Sequence, residues 1–539
     1  MPGQWILITM RPLGSGSETQ QKIEALKLRF SVCLRLAGTV STTEHGIRKL
    51  LPWHLDKHDN HSSSVFIHKV GEYYLERCGK MSNTATAMTK GNPLQLMLQF
   101  AMPLLLGNLL QQTYNIIDAA IVGQILGTKA LAGVGASSSV QFFVLGFCMG
   151  CCAGFGVPVA KYYGANDLDK MRNYIFNGAL LTGGIAVILT TLCSILCPWI
   201  LHTLSVPADI YDNAYAYLLI IFLGMPFTLM YNFLSSILRS VGDSRTPFMF
   251  LAFSAILNIF LDLFCIVVLK WGCAGAAIAT ITSQAVSGIL CLVYIGRKIN
   301  LLWMAKEHRV VKSGSVKELL SMGLPMGLQF SITAIGSMVM QAANNGLGSV
   351  CVSGFTAGMR IKQFTMCPFD AIGTAASVFC SQNLGAGEAE RIRKGLWQAI
   401  FLAVGYGIVA GLILIFAGRT LSMIFVSRKA VDVLDASAKY LRCMGFFYWS
   451  LGILNITRMV TQGLGYSMRA VISGITEMIA RSVVSLGLVG TFGYTAICFS
   501  DQTAWVTACL YIAPTCFYCV KKATKMLEQK KVAESEYSA

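Results

Sequence analysis

Charged side chains are scarce in this chain. Asp, Glu, Lys and Arg make up only 13% of its 539 residues, roughly half of what an average soluble protein carries. Histidine is nearly absent after residue 80, where only His202 and His308 remain. No HExxH motif and no GxGD-like pair lies in an apolar stretch, which argues against a membrane-embedded zinc or aspartyl protease. No polar stretch is long enough to house an independent active site, so an enzyme is not expected. The eighteen cysteines show no disulfide or zinc spacing. They are expected to be small packing residues in a reduced setting, and no metal site or cofactor is expected.

What the chain does have is apolar sequence, with 54% hydrophobic residues. From about Pro93 onward long apolar runs recur, among them Ile175 to Leu201, Thr246 to Leu269 and Gly395 to Phe416. A run of about 20 such residues crosses the hydrocarbon core as a helix. Hydropathy predicts twelve spans: 94–122, 130–158, 172–198, 211–238, 246–269, 273–295, 316–345, 350–381, 393–417, 433–461, 469–489 and 502–520, with 490–501 as a loose link. The net charge of +17 does not point to nucleic acid, because its placement alternates. Lys161, Lys170 and Arg172, then Arg297 to Lys317, then Arg391 to Lys394 and Lys521 to Lys531 fall in every second loop. That pattern puts the basic loops and both termini in the cytoplasm of a multi-pass protein in the cell membrane.

Residues 1–88 read as a cytoplasmic extension without a span, and Met81 offers a second plausible start. His54, His58 and His61 would share a helical face there, a pattern that polar tails show by chance. Residues 89–300 form an N-lobe of six spans, 301–522 a C-lobe of six, and 523–539 a cytoplasmic tail.

The second half repeats the first. Ala101-Met102-Pro103 corresponds to Gly323-Leu324-Pro325, and Leu126-Gly127 to Leu347-Gly348. Tyr217, Asn232, Gly242 and Ser244 correspond to Tyr440, Asn455, Gly465 and Ser467, and the offset stays at 221–223 residues. The predicted fold is therefore all-α, two pseudo-symmetric six-helix bundles with a cleft between them, the geometry of alternating access. Pro103 and Pro325 interrupt the first span of each half and are candidate hinges.

Several motifs now carry a family resemblance. Asn92-Pro93 leading to Ala101-Met102-Pro103, Tyr114-Asn115-Ile116-Ile117-Asp118 with Val122-Gly123, Leu238-Arg239-Ser240-Val241-Gly242-Asp243-Ser244, and Gly272 to Thr280 resemble multidrug and toxic compound extrusion (MATE) transporters. The resemblance covers about residues 92–520 and is to the prokaryotic DinF-like branch. It implies export of amphipathic, often cationic small molecules, driven by Na⁺ or H⁺ as coupling ion, with lipid as the surroundings. The chain carries its own two-lobed symmetry and is expected to work as a monomer.

An ionisable residue at membrane depth costs at least about 2.5–3.5 kcal/mol and is a functional candidate. In the first half these residues are Asp118 and Asp262, both placed in the outer half of the membrane by helix rise. Asn258 shares a helical face with Asp262, and Thr280 enters from the sixth span at similar depth. Two carboxyls close together in low dielectric would share a proton or hold a cation. The resemblance assigns Asp118, Asn258, Asp262 and Thr280 to the N-lobe cation site. Gln111, Tyr114, Asn232, Met225 and Met230 are candidates for lining the cavity, since methionine and aromatic surfaces suit varied amphiphiles. In the second half Arg360, Lys362, Asp370, Glu477 and Arg481 are expected to form a structural set of ion pairs. The runner-up within the superfamily is a lipid-linked oligosaccharide flippase or metabolite exporter.

Overall fold

The computed structural model describes residues 87–204 and 206–538. The expectations for the N-terminal extension, including the histidine triplet and the second start, lie outside the described residues. Met88 is inside them and is 2% exposed. Its N–H donates to Gln382 Oε1 at 2.7 Å, and its carbonyl accepts from Asn383 and Arg391. The chain is thus anchored before the first helix begins.

Among the described residues the fold is entirely helical. The first half holds α1 (Pro93–Ile125), α2 (Thr128–Gly164), α3 (Leu168–Thr203), α4 (Ala208–Leu223), α5 (Met225–Ser240), α6 (Arg245–Leu263) and α7 (Gly272–Lys298). The second holds α8 (Ser313–Asn345), α9 (Ser349–Gly385), α10 (Ala389–Ser422), α11 (Val431–Gly463), α12 (Ser467–Ser482), the one-turn α13 (Val489–Phe492) and α14 (Tyr494–Ser538). Nine of these helices are long and apolar enough to cross a membrane, and α4 with α5 makes a tenth crossing bent by 47°. Pro226 in the first turn of α5 lacks the N–H that would continue α4, so the run expected as one straight span breaks at Gly224. Helices α9 and α11, of 37 and 33 residues, match two further expected spans in position and length but are less apolar. Their polar residues, among them Lys362, Asp370 and Arg458, lower their hydropathy.

Apolar side chains on the outer helices α3 and α10 face outward: Val187, Ile195 and Phe416 are 67%, 71% and 83% exposed. Such a belt is matched to lipid rather than water. Inside, backbones approach through small residues, as membrane helices do. Gly411 of α10 and Gly445 of α11 each leave no room for a Cβ against the other's carbonyl. The sixteen described cysteines are all free, and all but Cys351, Cys443 and Cys509 are buried.

The repeat is visible in backbone detail. Gly127 and Gly348 open α2 and α9 at φ +87° and +92°, a region that L side chains rarely adopt. A π-turn follows α6 at Phe264–Val268 and another follows α12 at Val483–Gly487. The halves are not separate packages. Met97, Phe100, Ala101 and Leu104 of α1 lie in the core of the second half with Phe369, Ala376 and Phe379. Leu319 of α8 lies in the core of the first half. At the end bearing the basic loops, α2 and α9 meet so closely that a Cβ on Gly164 would overlap the carbonyl of Gln382, and one on Gly385 that of Lys161.

The last helix departs from expectation at both ends. It starts at Tyr494, not 502, and continues through the predicted tail to Ser538. Asp501, expected in a loop, is therefore inside a helix and fully buried.

Candidate ion-binding site

Asp118 lies seven residues before the end of α1. Asp262 is six residues before the end of the π-turn after α6, and Thr280 is eight residues into α7. At 1.5 Å per residue all three sit about 9–12 Å from the end of the bundle opposite the basic loops. Helix α6 packs against both α1 and α7, which brings the Asp118 and Asp262 carboxyls close enough to act on each other electrostatically. Asp262 is fully buried and Asn258, one turn earlier, is 2% exposed.

The polar atoms here are unusually short of partners. Asp118 Oδ1, both oxygens of Asp262 and both amide atoms of Asn258 are buried without a hydrogen bond among the described residues. Thr280 Oγ1 donates to the Ala276 carbonyl at 3.1 Å, leaving its lone pairs free. Buried polar groups are nearly always satisfied, and a buried carboxylate without a counter-charge is very costly. A proton shared by the two carboxyls, or a hard cation among these oxygens, would satisfy the set.

Two tyrosines close the site. Tyr114, beside Gln111, and Tyr217, beside Gln141, both stand within electrostatic reach of the carboxyl pair. Tyr217 and Gln141 were not among the predicted site residues. The repeat had already paired Tyr217 with Tyr440, and that was the signal available. The remaining candidates are scattered. Met225 is fully buried in the core of the first half beside the α4–α5 break, so it lines no cavity and that expectation is corrected. The Met230 methyl packs over Gly288 of α7. Asn232 is half-buried and donates to the Thr228 carbonyl at 2.8 Å. Pro103 and Pro325 lie inside unbroken 33-residue helices.

The second half does form buried ion pairs, with altered membership. Asp501 receives Lys362 Nζ at 2.6 Å, Arg481 at 3.0 Å and the Tyr440 hydroxyl at 2.7 Å. Glu477 receives Arg458 at 2.7 Å and Arg481 at 2.8 Å. Asp370 stands apart, accepting from Asn455 at 2.9 Å, and Arg360 is exposed. Arg458 and Asp501 take the places expected for those two.

A family model described as MatE matches residues 103–264 and again 325–486, so Pro325 opens the second match as Pro103 opens the first. The chain belongs to the MatE family. A MatE relative from Bacillus subtilis, the probable multidrug resistance protein YpnP, is 30% identical over 384 residues, which is 71% of this chain and 85% of the relative. The probable multidrug resistance protein NorM of Thermotoga maritima is 27% identical, covering 74% and 86%. Among solved structures, the outward-facing conformation of a multidrug resistance MATE family transporter of the MOP superfamily superposes with a TM-score of 0.77 at 19% identity. It covers 82% of this chain and 99% of that one. The MatE chain described here is a multi-pass membrane protein of the two-lobed fold, in a family of transporters of small molecules.

Proposed function

We propose that this protein is a secondary active multidrug efflux transporter, exporting amphipathic, often cationic compounds in exchange for Na⁺ or H⁺. The coupling ion binds between Asp118 and Asp262, helped by Asn258 and Thr280. The observation that carries this reading is the facing carboxyl pair with its unpartnered oxygens, set in a chain whose relatives are named as multidrug proteins. In the cell membrane the basic loops and both termini face the cytoplasm, and one chain, holding both lobes, is the working unit. Ion binding from the outer side neutralises the pair, α1 repacks about Pro103, and the cleft releases its substrate outward. The lobes then part at the Gly164 and Gly385 contact and release the ion inside.

The test is efflux of ethidium from proteoliposomes under an imposed Na⁺ gradient and, separately, an imposed pH gradient. Efflux driven by one gradient and lost in both Asp118→Asn and Asp262→Asn supports the site and names the ion. Efflux that survives Asp262→Asn removes the site from the mechanism. No dye movement under either gradient moves the substrate to a lipid or a metabolite.

A further inference from the structure

The backbone landmarks of the two halves let the ion site be mapped onto the second half residue by residue. Asp262 lies two residues before the π-turn at Phe264, and Arg481 lies two before the π-turn at Val483. Asn258 therefore corresponds to Glu477, each four residues earlier. Thr280 follows Gly272 by eight residues, and Asp501 follows Gly493 by eight, both glycines having positive φ. Tyr217 precedes Gly242 by 25 residues and Tyr440 precedes Gly465 by 25. Gln141 follows Gly127 by fourteen, and Lys362 follows Gly348 by fourteen. Asp118 follows Pro103 by fifteen, where Met340 follows Pro325.

The mapping is also spatial. In the first half Gln141 neighbours Tyr217, which stands within electrostatic reach of the carboxyl pair. In the second, Lys362 and Tyr440 both reach Asp501. Five of the six mapped positions are polar in both halves and build a cage in each, the sixth pairing Asp118 with Met340, and the contents differ. The first cage has two carboxyls, the Asn258 and Gln141 amides and the Thr280 and Tyr217 hydroxyls, with no cationic side chain, and five of its atoms lack a hydrogen bond among the described residues. The second has Asp501 and Glu477 as oxygen ligands and holds its own cations. The Lys362 ammonium sits on Asp501 and the Arg481 guanidinium on both carboxylates at 2.6–3.0 Å, with Arg458 on Glu477 at 2.7 Å. Asp501 Oδ1 and Arg481 Nε and Nη1 lack a hydrogen bond among the described residues. Lys362 is 7% exposed and Arg481 2%, so neither charge is a surface ornament.

We propose that the second half carries the structural counterpart of the ion site with a tethered cation, Lys362 assisted by Arg481, fixed where a free ion would bind. This rests on the reading of Asp118 and Asp262 as the exchangeable site. It follows that the protein exchanges its coupling ion in the first half alone. The second half keeps its cage permanently filled, and its helices are spared the rearrangement that ion release imposes. Removing the ammonium should turn the second cage into a site for a free small cation.

The experiment uses purified full-length protein in an Asp262→Asn background, which silences the first cage whatever its role. Thermal midpoints are measured in choline buffer and with added Na⁺ or ethylammonium for Lys362, Lys362→Ala and Lys362→Met. Lys362→Ala is expected to melt several degrees lower and to regain at least half of the loss with millimolar cation. Lys362→Met, which fills the space without charge, is expected to show no regain. Equal midpoints with and without cation in Lys362→Ala would overturn the proposal. Should Lys362→Ala fail to fold, the reciprocal variant Gln141→Lys, with Asp262 intact, decides the matter. An ammonium in the first cage should abolish the Na⁺ or pH response of the melting midpoint seen in the native protein, and a retained response would overturn the proposal. A native protein with no cation response, beside a cation-responsive Lys362→Ala, would refute the exchangeable site while leaving the tethered one standing.

Discussion

Two buried aspartates at matching ends of the bundle are held on opposite terms. Asp501 accepts hydrogen bonds from Lys362 and Tyr440 and has the Arg481 guanidinium at 3.0 Å as an ion-pair partner, so two of its three close neighbours are cationic. Asp262 accepts no hydrogen bond among the described residues. Deleting one partner of a buried ion pair costs about 3–5 kcal/mol, because the other charge is stranded. Asp501→Asn is therefore expected to lower the thermal midpoint by several degrees, and Asp262→Asn to leave it unchanged or raise it, as thermal denaturation of the purified protein would show. Tyr217→Phe removes a hydroxyl facing the carboxyl pair. The hydroxyl makes no hydrogen bond to Asp262 among the described residues and can serve a bound ion as an oxygen ligand, so the ion concentration giving half-maximal efflux should rise. Asp118, Asn258, Asp262 and Thr280 stand out in the sequence as polar residues at membrane depth, and the family resemblance is what grouped them. Asp501 does not stand out in this way. Ser500, Asp501 and Gln502 form a polar trio that begins seven residues after Gly493, so hydropathy reads as a loop what packing makes the third turn of α14.

Among the elements, α2 and α9 set the closed end of the bundle. Their backbones touch at Gly164 and Gly385, and the Gln382 side chain joins the halves by donating to the Ser240 carbonyl at 2.8 Å while accepting from Met88. A side chain at either glycine cannot be accommodated by a rotamer change, since backbone is what it meets. Gly164→Val or Gly385→Val should push the protein toward conformations parted at this end. Spin-label distances between the α2–α3 and α9–α10 loops would lengthen, and efflux would fall by roughly an order of magnitude. The helices themselves were readable from apolar runs of spanning length. The α4–α5 bend was hidden because Gly224, Met225 and Pro226 sit inside an otherwise continuous apolar run, which hydropathy averages over.

At the scale of the whole molecule the halves exchange helices: α1 packs into the second core and α8 into the first. Each half alone would expose an apolar stripe meant for its partner. Residues 1–305 and 306–539 expressed separately should be degraded, while co-expression should restore a folded complex, read by co-purification and efflux. The alternating basic loops predict one further outcome. Alkaline phosphatase fused after residue 347 should be active in cells, and fused after residue 531 it should be inactive.

Helix α14 is 45 residues long, about 68 Å at 1.5 Å per residue, more than twice the thickness of a bilayer's hydrocarbon core. Its final turns run on beyond the bundle, braced by Arg393 against Glu528 at 3.0 Å. A helical fusion partner joined in phase at Ser538 would inherit that stiffness. It would give the helical bundle a rigid landmark by which single particles could be aligned in electron micrographs.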